Sequence, residues 1–66
     1  MNEKEMYEKF KNKPVILTKE WDRKYYFYTG QITEVFDGKL LFDDRKIGDM
    51  LVDFSVIKSV EPYRKW

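Results

Sequence analysis

The chain contains neither cysteine nor histidine. Disulfides, thiolate or imidazole metal sites, cysteine nucleophiles and histidine general bases are therefore excluded. Carboxylates, lysines, tyrosines and hydroxyls remain as the only reactive groups. Alanine is missing too, and amides are few, with one glutamine and two asparagines. Few amides beside many Lys, Glu, Asp and Arg fit a thermophilic source, although low-GC codon bias yields the same composition. No apolar run approaches the ~20 residues needed to span a bilayer, and charged residues stand where a signal peptide carries its apolar segment. A soluble, cytoplasmic protein is the expectation. At 66 residues there is room for one domain with one small core, near the lower limit for folding without disulfides or metal. Self-association is the expected compensating source of buried area.

Aromatic residues make up 18% of the chain and charged ones 38%, so a few bulky rings can build the core beneath a densely charged surface. The net charge is +1. Residues 1–30 carry seven Lys/Arg against five Asp/Glu, and residues 31–66 carry six against seven. A broad basic field is thus lacking, which argues against nonspecific duplex binding. Recognition of unpaired bases by local stacking needs no such field.

Asn2 and Glu5 have the spacing of a capping box, with Glu3 and Glu5 near the positive end of a helix dipole. A short helix over residues 2–11 is predicted, with Met6, Tyr7 and Phe10 as its apolar stripe, ended by Pro14. Val15-Ile16-Leu17 forms a first strand, and residues 18–24, polar apart from Trp21, read as a loop. A second strand runs from Tyr25 to Phe36, long enough that it must bend, and Gly30 is the place for the bend. A bulge near Thr33-Glu34 returns Val35 to the core. Asp37-Gly38 predicts a type I′ hairpin turn, after which Leu40 and Phe42 alternate along a third strand. Asp43-Asp44-Arg45-Lys46 with Ile47-Gly48 forms a second turn and Met50-Leu51-Val52 a fourth strand. Asp53-Phe54-Ser55 makes a 3₁₀ corner before a fifth strand from Val56 to Glu61, stopped by Pro62. The expected fold is mainly β: a single domain with a short N-terminal helix (2–11), a strongly bent five-stranded antiparallel sheet of small-barrel type (14–62) and a tail (63–66).

This order of elements resembles the Sm-like fold of the Sm, LSm and Hfq families over roughly residues 14–62. Tyr28-Thr29-Gly30-Gln31-Ile32 is similar to the first family motif, aromatic-x-Gly-x-aliphatic, and the run from Met50-Leu51-Val52 to Val56-Ile57-Lys58-Ser59-Val60-Glu61-Pro62 is similar to the end of Hfq. The resemblance implies an SH3-type small barrel, rings built by pairing the fourth strand with a neighbour's fifth, and single-stranded RNA as a partner. Of the family's base-binding loop, Asp37 is retained. Leu41 stands about where the base-reading Asn belongs, and Asp53-Phe54 replaces the family's Arg-Gly or Lys-His. The alternative is a monomeric SH3-like barrel that binds proteins.

Trp21, Arg23, Lys24 and Tyr26 are the first candidate binding residues, aromatics that stack unpaired bases beside cations that meet phosphates. Because strand neighbours face opposite sides, Tyr25 and Phe27 cannot share a face with Tyr26 and Tyr28. One of these pairs must lie outside the core, either covering the helix stripe or forming a partner surface. Asp37 and Lys39 at the hairpin tip complete the candidate binding set. Met50, Val52, Val56, Lys58 and Val60 are the expected oligomer edge. Asp43, Asp44, Asp49 and Asp53 match no calcium loop and read as a solvated turn. The Tyr63-Arg64-Lys65-Trp66 tail can touch nucleic acid or another subunit, or simply fray. With no nucleophile beside a base, no metal-ligand spacing and no phosphate-cradling glycine loop, the expectation is a non-enzymatic protein without cofactor or metal.

Overall fold

A computed structural model describes residues 3–64. Asn2, the first half of the expected capping box, and Lys65-Trp66 of the basic aromatic tail lie outside the described residues. A helix, α1 (Glu3–Glu8), precedes five strands: β1 (Pro14–Trp21), β2 (Lys24–Val35), β3 (Lys39–Asp44), β4 (Gly48–Asp53) and β5 (Ile57–Pro62). A 3₁₀ turn, Phe54–Val56, links the last two. The sheet is antiparallel throughout, in the order β4-β3-β2-β1-β5.

β2 is the spine of this arrangement. Its first part pairs with β1, from Trp21 opposite Lys24 to Pro14 opposite Gln31. Its second part pairs with β3, from Gly30 opposite Asp44 to Val35 opposite Leu40. The two ladders overlap only at Gly30 and Gln31. A Cβ at position 30 would run into the backbone carbonyl oxygen of Asp43, so glycine is required there for close approach of β3. Thr33 is the extra residue of the expected bulge, since the register shifts between Ile32 and Glu34. That shift brings Val35 against the core behind Ile32.

The sheet is not closed into a barrel, in contrast to the expected barrel form. β4 and β5 pair only with β3 and β1 respectively, and each leaves an open edge. Only Phe54–Val56 join one edge to the other, a reach of roughly 13 Å at most, so the sheet must curl until its edges approach. A fifth ladder, between β4 and β5, is not formed, and Phe54 at their junction is buried in the core. Val15 and Leu17 of β1, Ile32 of β2, Leu40 and Phe42 of β3, Val52 of β4, and Phe54 form one buried cluster with Tyr7.

The helix is shorter than the predicted 2–11 span. Asn12 takes a positive φ of 63°, and its N–H donates to the Ile32 carbonyl at 2.8 Å, so the chain leaves the helix to lie beside β2. Lys11 adds an ion pair to Glu34 (3.1 Å). Tyr7 carries the docking, with its ring centroid 4.7 Å from that of Phe54.

The turns also differ from expectation. Residues 18–24 are not a loop: β1 continues to Trp21 and the hairpin turns on Asp22-Arg23 alone, both with positive φ (52° and 63°), the pattern of a type I′ turn. At Asp37-Gly38 only Gly38 has positive φ (81°), which excludes type I′ there. Thr18, Lys19 and Glu20 look like loop residues by polarity, yet cross-strand pairing with the aromatic run of β2 holds them extended.

Candidate functional site

Directly opposed residues of an antiparallel pair share a face. On one face of the β1–β2 hairpin, Leu17 opposes Tyr28, Lys19 opposes Tyr26, and Trp21 opposes Lys24. Leu17 is buried, so this is the core-lining face, continued beyond the end of the core. On the other face, Thr18 opposes Phe27 and Glu20 opposes Tyr25. Thr18 and Lys19 are flanked on their other side by Ser59 and Ile57 of β5, so Phe27 and Tyr26 stand where three strands run side by side. Glu20-Trp21 with Lys24-Tyr25 project beyond them as a two-stranded tip; this end of the hairpin, the arm, carries rings on both sides. Trp21 is 60% exposed, Tyr25 53%, Tyr26 40% and Phe27 70%. Lys19 Nζ lies 5.9 Å from the Trp21 ring centroid, within cation–π reach.

None of these four rings covers the helix, contrary to the structural expectation for the outer pair. The chain leaving α1 is tied to Ile32 and Glu34, in the second part of β2, whereas Tyr25, Tyr26 and Phe27 occupy its beginning. The predicted binding residues accordingly separate into two places. Trp21, Arg23, Lys24 and Tyr26 come together on the arm. Asp37 and Lys39 sit at the far end of β2, where Asp37 pairs with Lys4 of α1 (3.3 Å) and Lys39 opposes Asp53. An ion pair in which Asp37 stays almost fully exposed is worth little, and these two residues are not part of the arm.

The expected oligomer edge also changes character. Val52 is buried, and Met50, Val56 and Val60 pack against the core, because inward-facing positions of an edge strand serve the core like any others. Only Lys58 of that set is exposed. What the edges offer a neighbour is unpaired backbone, together with Leu51, which alternates outward on β4 and is 61% exposed. The period-two pattern of Asp49, Leu51 and Asp53 carried that signal.

The acidic turn is not wholly solvated either. Asp44 is buried, and its Oδ2 accepts the N–H groups of Lys46 (2.8 Å) and Ile47 (3.1 Å), fixing a three-residue loop that ends on Gly48 at φ 87°. Among the described residues no group of three or more Asp or Glu side chains converges as a metal site.

A concavity that sequence reasoning missed lies on the outer face. Phe27, Thr29, Asp44, Arg45, Lys46 and Tyr63 line a cleft of about 460 Å³. Alternation along β2 puts Phe27 and Thr29 on one face. The rest is assembled by tertiary structure: the Arg45 N–H donates to the Thr29 carbonyl (2.9 Å), and the Tyr63 N–H to that of Pro14 (3.0 Å).

No protein-family model, curated protein or solved structure matches this chain.

Proposed function

We propose that this chain is a non-enzymatic, Sm-like module that binds short single-stranded RNA on the β1–β2 arm and acts as a homo-oligomer. The carrying observation is the arm itself: Trp21, Tyr25, Tyr26 and Phe27 remain exposed on a single hairpin, with Lys19, Arg23 and Lys24 between them. Stacking on exposed rings is worth about 1–3 kcal/mol per base and tolerates any base. The neighbouring cations supply phosphate binding without a globally basic surface. The strand order and the sharing of β2 between two ladders are compatible with a small barrel-like domain, and the open edges of β4 and β5 suit strand addition between copies.

Fluorescence anisotropy with short oligo-U, oligo-A and mixed RNA at two salt concentrations tests the reading. Saturable binding is expected, and combining Arg23→Ala with Lys24→Ala should lower the salt slope by about 0.7 for each phosphate no longer neutralised. Stoichiometric zinc, or a turnover that survives rigorous purification, contradicts the non-enzymatic part. A protein-interaction module is the second reading, favoured by the same two edges, since an extended partner segment can add to either. Absence of RNA binding at tens of micromolar in low salt by the assembled oligomer decides for it.

A further inference from the structure

We propose that the outer-face cleft is a subsite for one nucleotide unit, with a nucleobase on the Phe27 ring and its phosphate held by Arg45 and Lys46. The inference deepens the RNA-binding reading, on which it rests for the source of the nucleotide. Its site is separate from the predicted set, since Phe27 and Thr29 face away from Trp21 and Tyr26.

Shape comes first. A volume of about 460 Å³ falls within the ~300–1,000 Å³ of small-molecule sites. Phe27, 70% exposed, offers a flat apolar surface, and Tyr63 supplies a second ring at the wall. A ligand with an aromatic plane is the complement of such a lining.

Charge comes second. Of the three charged residues in the lining, Asp44 is 7% exposed and its Oδ2 already takes two backbone N–H groups. The exposed charges are Arg45 and Lys46, both positive. Their backbones are anchored, Arg45 through the Thr29 carbonyl and Lys46 through Asp44, so the two cations are presented from a fixed turn. Asp43 and Asp49, opposite each other across β3 and β4, are not among the lining residues. A planar ring joined to an anion satisfies both features, and a nucleoside phosphate, free or within a strand, is that chemistry. Tyr25, two residues before Phe27 on the same face and so ~7 Å away, gives a strand a path from the arm to the cleft.

The test is a ¹⁵N-HSQC titration of the full chain with adenosine 5′-monophosphate, adenosine, inorganic phosphate and a hexa-adenylate RNA. Expected are saturable shifts at Phe27, Thr29, Arg45, Lys46 and Tyr63 with the monophosphate, and at least tenfold weaker binding of adenosine or phosphate alone. Arg45→Ala with Lys46→Ala should abolish the response with the spectrum otherwise folded. Hexamer binding at least tenfold tighter, with shifts reaching Tyr25 and Glu20, identifies a strand residue as the occupant, and equal binding a free nucleotide; both uphold the subsite. Phosphate binding as tightly as the monophosphate, or no cleft response, overturns it. If the hexamer then perturbs the arm alone, the subsite falls while the RNA-binding reading stands.

Discussion

A side chain at position 30 has nowhere to go, because its Cβ would meet the carbonyl of Asp43 in the adjoining strand. Gly30→Ala is therefore expected to destabilise by about 1–3 kcal/mol or more, the range for overpacking, as read by urea denaturation; an unchanged midpoint contradicts the close approach. Arg23 presents the converse case. It sits at φ 63° in the Asp22-Arg23 turn, where glycine is free of the ~1–2 kcal/mol left-handed cost. Arg23→Gly should raise stability by roughly 0.5–1 kcal/mol after its own entropy loss, while weakening RNA binding. The sequence makes Gly30 visible as a special position but suggests only a bend, since the partner atom it must clear lies in a strand brought alongside by the tertiary fold. Likewise Asp22-Arg23 carries no glycine signal, whereas Asp37-Gly38 does and yet turns differently.

At the level of elements, α1 has six residues, too few for independent stability, and is held by Tyr7 against Phe54. Tyr7→Ala should cost about 3–5 kcal/mol, the cost of truncating a buried large aromatic, which consumes most of the stability of so small a domain. Burial, with a smaller contribution from Glu3, raises the Tyr7 pKa above the ordinary tyrosine value. The neutral phenol is thus favoured in the folded state, and its contribution is complete below the unfolded pKa of about 10 and disappears as pH rises through the folded one. Thermal melts between pH 8 and 11 should show a steeper loss for the wild type than for Tyr7→Phe, and identical slopes contradict the burial argument. Strand content, the Thr33 bulge and the 3₁₀ corner were legible from alternation and turn residues. The length of β1 was not, because Thr18, Lys19 and Glu20 have loop-like polarity and are held extended by the facing aromatics of β2 and, at Thr18 and Lys19, by β5 on the other side. The arm was legible in composition, while the cleft required the β3–β4 turn and Tyr63 to arrive from distant sequence.

For the whole molecule, two open edges and a small core favour association. Light scattering at tens of micromolar should give a multiple of 8.2 kDa, and a strict monomer removes ring assembly from the account. Among the described residues no helix is long and apolar enough to cross a membrane. The central claim is that exposed rings on the arm hold unpaired bases, and Trp21 is its most direct probe. Anisotropy with a short labelled single-stranded RNA should show Trp21→Ala binding weaker by about 1–3 kcal/mol, roughly 5- to 150-fold, with the fold and oligomeric state unchanged. Equal affinity of wild type and Trp21→Ala, or no binding by either in low salt, contradicts it.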